Sequence, residues 1–369
     1  MIQPLSITPR ILMGPGPSDV AQTVLAAMAR PTMGHLDPQF LSILNDIRQM
    51  LQAIFQTKNM LTLAVSGTGS AGMEACVVNL IEPGDSMLVC VNGVFGARMK
   101  DVATRAGAKV TAIEMPWGQV FSPSQIEDEI KKHGPFKVVG IVNAETSTGA
   151  HQPIEEISKI VHKHGGLMLV DCVTSLGGVE VNVDGWQIDA CYSGTQKCLS
   201  CPPGLSPVTF SSAAENIIAT RKTPVQSWYL DMTMVRKYWE TERLYHHTAP
   251  INMIYGLHEA LRLVLEEGLQ KRWDRHMRVH RAFKREIEAM GIKFLADPEH
   301  QLPMLNAISA PAGVDEAAVR KRLLEEYKIE IGGGLGAYKG KAWRVGLMGE
   351  SARESHVDAL IKAMKTILK

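Results

Sequence analysis

No apolar run in this 369-residue chain approaches the roughly 18 residues that a bilayer-spanning helix requires, which argues against a membrane-embedded protein. Net charge is nearly absent. The chain has 39 Lys and Arg against 38 Asp and Glu, a formal +1, so there is no electrostatic case for nucleic acid or an anionic membrane surface. The opening stretch MIQPLSITPRILMGPGPSD lacks the charged-then-apolar layout of a signal peptide and reads as an extended arm. The closing Ile367-Leu368-Lys369 matches no peroxisomal or retention address. A cytoplasmic location is expected. There is no internal repeat and no low-complexity stretch.

Cysteine is sparse, with six residues at positions 76, 90, 172, 191, 198 and 201. Most lie in apolar, strand-like surroundings, which predicts buried free thiols in a reducing compartment rather than a disulfide scaffold. Cys198 and Cys201 have the spacing of a zinc or redox pair. No second pair exists and Pro202-Pro203 follows at once, so no metal is expected. His276 and His280, one helical turn apart in the Arg/Lys-rich stretch 271–285, read as part of a solvated helix face.

What is present is hydrophobic residue at 45% and charged residue at 21%, suited to a globular protein with a sizeable core. The length allows one large and one small domain. Between about 61 and 210, short apolar strands alternate with amphipathic stretches. The strands are expected at 61–65, 86–91, 109–113, 138–142, 167–170, 190–193 and 206–210, with helices at 71–82, 95–106, 123–133 and 153–164. Such alternation predicts an α/β architecture: a mostly parallel seven-stranded sheet covered on both faces, with ligands at the carboxyl ends of its strands. A long helical segment over about 251–290 leads to a smaller α+β block that ends in a helix over 353–367. The expected division is an arm at 1–20, a large domain at 21–267 and a small C-terminal domain at 268–369.

Two residues in the sheet region point to chemistry. Asp171 ends the apolar strand 167–170, and Lys197 follows about one βαβ step later, closing Asp189-Ala-Cys-Tyr-Ser-Gly-Thr-Gln-Lys197. A loop-borne amine and a strand-end carboxylate are what pyridoxal 5'-phosphate requires. The amine forms a Schiff base with the aldehyde, and the acid keeps the pyridine nitrogen protonated so that the ring accepts electrons. Upstream, Gly67-Thr-Gly69-Ser-Ala-Gly72 follows a strand and opens a helix. It fits the dinucleotide fingerprint, but the next strand ends Val89-Cys90-Val91-Asn92 without the acid that a ribose needs. No Lys-Ser/Thr follows the glycines, so it is no P-loop. What remains is a set of backbone N–H groups at a helix N-terminus, sufficient for a monophosphate. Phe95 could stack on the ring, Thr146 could give its hydroxyl to the ring oxygen, and Gln196 could donate to the phosphate. Arg344 sits in the apolar strand-like run 342–347. It is either held in an internal salt bridge or free to take a substrate carboxylate through its planar fork.

Eight ordered motifs now become specific. Gly14-Pro-Gly-Pro17, Ser66-Gly-Thr-Gly-Ser70, Glu145-Thr-Ser-Thr-Gly149, Val170-Asp171, Ser193-Gly-Thr-Gln-Lys197, Pro202-Pro-Gly204, Tyr245-His-His-Thr248 and Arg344-Val-Gly346 occur in the order seen in class V aminotransferases. Over about residues 10–365 the chain resembles that family, and within it the alanine–glyoxylate and serine–pyruvate branch. The resemblance implies the aspartate aminotransferase type I fold and a homodimer with its active site at the subunit interface. It implies that Lys197 carries the cofactor, Asp171 pairs with the ring nitrogen and Phe95 takes the stacking position. Ser66, Gly67, Thr68, Gly69, Ser70 and Gln196 would hold the phosphate, and Thr146 the ring oxygen. Tyr245 and Thr248 would reach the other subunit's phosphate, and Arg344 the substrate carboxylate. The implied reaction moves an amino group from alanine or serine to glyoxylate or pyruvate. One departure is Ser70, which is His in some animal members.

Other readings stay open on the sequence. Phe55-Gln-Thr-Lys-Asn59, Gly194-Thr-Gln-Lys-Cys-Leu-Ser200 and Val264-Leu-Glu-Glu-Gly268 resemble ureidoglycine–glyoxylate aminotransferases, although those tend to have Asn where Tyr245 stands. Cysteine desulfurases share the fold but have His before the lysine, where this chain has Gln196. A non-catalytic binding subunit would have no use for Lys197, Asp171 and Arg344 together.

Overall fold

The computed structural model describes residues 2–369; Met1, the first residue of the expected arm, lies outside them. A seven-stranded sheet organises the larger part. Across it run Leu61–Ser66, Leu205–Phe210, Ala190–Tyr192, Leu167–Asp171, Val138–Val142, Ser86–Val91 and Lys109–Glu114. Only Leu205–Phe210 runs antiparallel to its neighbours. Each strand matches its expected span to within a residue at either end. The reason lies in the side chains: Val138–Val142 and most of Leu61–Ser66 are buried on both faces, as helices packed on a parallel sheet demand.

The helices start where the chain supplies caps. Ser122 and Gln125 form a capping box before Pro123–His133, whose Ile126 and Ile130 face the core. The helices Gly69–Leu80 and Val94–Arg105 both begin at the carboxyl edge of the sheet, and in neither does the N-cap residue's own side chain cap the first turn.

The expected long helix over 251–290 is two helices, Ile251–Glu267 and Leu269–Ala289. Gly268, at φ 83°, interrupts it, since that backbone conformation cannot continue a right-handed helix. A second apolar core then forms around Val279, Phe283, Ile308, Trp343, Val345 and Leu360. Its sheet pairs Leu305–Ser309 and Gly332–Gly333 with the central strand Ala342–Gly346. The last helix, Glu354–Ile367, packs against it.

The arm is tied down. Ile11–Leu12 pairs in parallel with Ile329–Glu330, and Met13 is buried in the second core. This pairing carries Gly14–Ser18 across to the loop of Lys197.

His276 and His280 are not on a solvated face. Both are buried, because that side of Leu269–Ala289 packs inward. His276 Nδ1 donates to the Arg272 carbonyl at 2.7 Å and its Nε2 accepts from the Gly349 N–H at 2.9 Å. His280 Nδ1 is 2.7 Å from Asn306 Oδ1. A charge-rich helix sequence hides such a face, since the arginines flanking it are themselves tied to backbone carbonyls. All six cysteines are buried and unpaired.

Candidate active site

Asp171 is the last residue of the strand Leu167–Asp171, deep in the middle of the sheet. Register places Tyr192 directly beside it on the next strand. The Tyr192 hydroxyl donates to Asp171 Oδ2 at 2.7 Å and the Val173 N–H donates to Oδ1 at 2.9 Å. Burial nevertheless pushes the carboxyl up to about 6, with nearby Glu145 adding to the effect and these donors and Lys197 opposing it. A buried acid in this condition is one that a cation would return to the ionised form.

Lys197 is 7% exposed and follows the strand Ala190–Tyr192. Ser18 Oγ donates to its carbonyl at 2.8 Å, and its amine donates to the Pro15 carbonyl. Burial, and then the positive charge of Arg344, lower the amine to about 8. Gly16 allows the approach. It sits at φ 105°, and a Cβ there would lie 2.7 Å from Lys197 Nζ.

The glycine loop links the strand Leu61–Ser66 to the helix Gly69–Leu80. Thr68 is its N-cap residue but makes no side-chain capping bond, so the first-turn amides are left for an anion. Gly69 packs so closely on Val173, beside Asp171, that a Cβ would meet Val173 Cγ2 at 3.2 Å. Gly67 donates its N–H to the Gly204 carbonyl. Ser66 is half-buried, and its Oγ lies 2.7 Å from His247 Nε2. Thr68 and Ser70 are exposed, with Arg98 Nη1 donating to Ser70 Oγ at 3.3 Å. The Gln196 amide oxygen is buried without a partner; turning the amide over puts its NH2 there, the group that an anion needs.

Arg344 is buried in the strand Ala342–Gly346 of the second sheet. Its Nε donates to the Gly333 carbonyl at 2.8 Å and its Nη1 to the Thr146 carbonyl at 3.4 Å. Among the described residues it makes no salt bridge, which removes the internal-pair reading. Glu145, the acid whose charge acts on it, is already engaged. Its carboxylate accepts from the Phe95 N–H (3.0 Å), the Gly96 N–H (3.4 Å), the Ser147 N–H (3.0 Å) and Ser147 Oγ (2.6 Å). Burial raises Glu145 in spite of these donors. Phe95 is half-buried in the first turn of Val94–Arg105, with the Arg98 guanidinium 4.8 Å above its ring.

Thus the chain's fold brings together Lys197, Asp171, Gly69 and Arg344 at the carboxyl edge of the sheet, with Thr146 on Arg344 and Gln196 next to the lysine. Tyr245 and Thr248 stand apart. Both are exposed, Tyr245 at 56%, and their hydroxyls lie 3.4 Å from each other. Tyr245 packs on His35, with ring centroids 5.0 Å apart.

Four contributors escaped sequence reading. Pro15 and Gly16 stood inside a quoted motif, but nothing marked their carbonyl and bare Cα as neighbours of the lysine. Glu145 stood in another, without a sign that its carboxylate caps the helix Val94–Arg105. Tyr192 carries no mark of its own in the sequence, and only cross-strand register reveals its donor role.

A buried amine beside a carboxyl in need of a cation, with an uncapped helix N-terminus next to both, is the site of a fold type I pyridoxal-phosphate enzyme. The residues present fit that cofactor: Asp171 offers a carboxyl for a ring cation, the free amides offer donors for a phosphate and Lys197 offers an amine for an aldehyde. Within that class the chain belongs to the class V aminotransferases, whose family model matches residues 15–351. It is 39% identical to the (S)-ureidoglycine–glyoxylate transaminase of Bacillus subtilis, covering 97% of this chain and 90% of that one. It is equally 39% identical to the alanine–glyoxylate aminotransferase of Felis catus, covering 100% and 90%. Among solved structures, the alanine–glyoxylate aminotransferase of Nostoc sp. superposes with a TM-score of 0.98 at 48% identity, covering 100% of this chain and 98% of that one. The ureidoglycine–glyoxylate aminotransferase of Bacillus subtilis superposes at 0.97 and 40%, covering 99% and 94%. The protein is therefore a transaminase that uses pyridoxal phosphate. A cysteine desulfurase from Thermococcus onnurineus, at 15% identity, shares the fold alone.

Proposed function

We propose that this transaminase moves an amino group from alanine or serine to glyoxylate or pyruvate. The observation that carries the reading is Arg344: a buried guanidinium with no carboxylate partner, in the same site as a buried lysine. Its fork would bind the carboxylate of donor and acceptor alike, which both halves of a transamination require. Lys197 would bond to the cofactor aldehyde, with Asp171 on the ring nitrogen, Phe95 on the ring face and Thr146 on the ring oxygen. Gly67, Thr68, Gly69, Ser70 and Gln196 would hold the phosphate, with Ser66 at the start of that loop.

Pyridoxal phosphate, when bound, supplies an electron sink that acidifies the α-hydrogen of an amino acid. The protein does the rest. Arg344 orients the substrate, so that the α-hydrogen faces the amine. Lys197 holds and moves the proton at Nζ, and an amine near 8 is suited to both taking and giving it close to neutral pH. Asp171 would hold a negative charge for the ring nitrogen.

The second reading is (S)-ureidoglycine as donor. The Bacillus subtilis relative supports it, and Tyr245, where such enzymes tend to have Asn, favours alanine or serine.

The working unit in this reading is a homodimer, with 21–267 as the large domain and 268–369 as the small one. Exposed Trp228, Tyr229, Leu244 and Tyr245 supply an apolar surface for the second copy, and Tyr245 and Thr248 would reach its phosphate. Buried free thiols suit the cytoplasm. Among the described residues no helix is long and apolar enough to cross a membrane.

Borohydride reduction of the cofactor-loaded protein followed by peptide mapping should tag Lys197, and kinetics with alanine, serine and (S)-ureidoglycine against glyoxylate and pyruvate should favour the first two. A tag elsewhere, or selectivity for ureidoglycine, overturns the respective part.

A further inference from the structure

The glycine loop has a mechanical problem. Gly67 and Gly69 have no side chains with which to hold the loop in place; Gly67 is tied by its N–H to the Gly204 carbonyl, and further hold on the loop comes from its ends. At the downstream end the helix begins. At the upstream end Ser66 is gripped twice from a distant segment of chain: the Tyr229 hydroxyl donates to its carbonyl at 2.9 Å, and its own Oγ meets His247 Nε2 at 2.7 Å. Behind His247 stands His246, with the two Nδ1 atoms 2.8 Å apart, and behind that the Trp228 carbonyl, 3.3 Å from His246 Nε2. Trp228 stacks on the His246 ring at 4.3 Å, which fixes its plane.

With both rings neutral, this chain has one proton arrangement. A carbonyl oxygen only accepts, so His246 Nε2 carries the hydrogen and His246 Nδ1 is bare. His247 Nδ1 must then donate to it, which leaves His247 Nε2 bare. Ser66 Oγ is consequently the donor to His247. Burial favours the neutral ring at His247, holding it at about 4, with His246 adding to the effect. The direction runs from Ser66 to the Trp228 carbonyl without a break, and the hydroxyl proton of Ser66 is spent on His247.

We propose that His247, backed by His246, is a positioning residue for the phosphate-binding loop: by accepting the Ser66 hydroxyl proton it anchors the start of the loop and makes Ser66 a fixed post rather than a hydrogen-bond donor to the phosphate. This rests on the reading above that the loop Ser66–Ser70 takes the cofactor phosphate. His247 touches neither cofactor nor substrate in this role. It acts through the backbone that leads from Ser66 to Thr68–Ser70, whose amides need their aim fixed before an anion arrives, because preorganised donors lose less freedom on binding.

The test compares pyridoxal phosphate with pyridoxal, which has the same ring and aldehyde and no phosphate. Dissociation constants for both are measured on cofactor-free protein carrying Ser66→Ala, His247→Asn, the two together, or His247→Gln. Each of the first two removes the same hydrogen bond and should weaken pyridoxal phosphate by roughly fivefold to tenfold, the size of one such bond. The double variant should be no weaker than either single, since a bond can be lost only once. Pyridoxal affinity should not change. His247→Gln puts a side-chain carbonyl near the former Nε2 and should recover most of the loss.

Additive losses with Ser66→Ala the larger would make Ser66 a phosphate ligand and overturn the proposal. Equal losses for pyridoxal and pyridoxal phosphate would overturn it too, by showing general damage to the site. If His247→Asn does not fold, His247→Phe replaces it in the cycle, filling the space beside Tyr229 and Tyr238 without an acceptor. Absence of a borohydride tag on Lys197 in the unaltered protein defeats the cofactor reading and this inference together. A tagged Lys197 with His247 variants that bind normally defeats this inference alone.

Discussion

Tyr192→Phe removes one oxygen atom from a fully buried place, and its effect can be worked through. The phenol donates to Asp171 Oδ2 at 2.7 Å, and among the described residues the only other hydrogen bond that the carboxyl receives is from Val173. A hydrogen bond to a charged group is worth about 1.5–3 kcal/mol. The loss falls on the ionised form, so at 1.36 kcal/mol per pKa unit Asp171 should rise by about one to two units. From about 6 that places it near 7 to 8 in the cofactor-free variant. At pH 7 the carboxyl of the unaltered protein is then ionised in about ten molecules for each neutral one. In the variant the ratio is roughly even or reversed by as much as tenfold. Because only the carboxylate attracts a ring cation, cofactor affinity falls as pH drops through the folded pKa, and the variant should lose it at higher pH. The assay is the pyridoxal phosphate dissociation constant of cofactor-free protein from about pH 5 to about pH 9. At pH 7 the variant should bind roughly twofold to tenfold more weakly, and its acid limb should lie about one to two units higher. An acid limb that overlays the parent's would refute the argument. So would an equal loss at pH 9, where Asp171 is ionised in both proteins.

Other outcomes follow from the same geometry. Arg344→Gln should raise KM for donor and 2-oxo acid by roughly tenfold to a hundredfold with a smaller fall in kcat, the size of a lost charge-assisted pair; unchanged KM values would remove the carboxylate role. The same change takes a positive charge away from Lys197, so in cofactor-free protein the amine should titrate above its present value of about 8, as read by pH-dependent labelling. Gly16→Ala puts a methyl 2.7 Å from Lys197 Nζ on a backbone at φ 105°, and turnover should fall at least tenfold in steady-state assays while the protein still folds. Glu145→Gln turns an NH2 toward amides that now donate to a carboxylate, and thermal unfolding should show a loss of about 1–3 kcal/mol.

Much was legible in the chain because it is local. Apolar runs bounded by turn residues placed all seven strands of the sheet, since periodicity and burial are properties of short segments. Asp171 and the glycine loop were visible because one ends a strand and the other opens a helix, and Lys197 because it closes the loop after the next strand, positions that the linear pattern marks. Arg344 stood out as a cation in an apolar strand-like run, and the family motifs added an expected role for Tyr245 and Thr248. His276 and His280 were misread for an equally physical reason: charge-rich helix sequence signals solvent unless one knows that its arginines are tied to carbonyls of other segments.

The order of residues by itself determined the sheet, the arrangement of helices on it and the chemical kinds at the site, because these follow from propensity, spacing and composition. Tertiary structure alone decided who faces whom. It set Tyr192 beside Asp171 by strand register, brought Pro15 to the lysine by pairing the arm with a strand more than 300 residues away, and left Arg344 without an acid partner. Desolvation acts only once such groups are packed, so the shifts that lift Asp171 and lower Lys197 belong to the folded chain and to no segment of it.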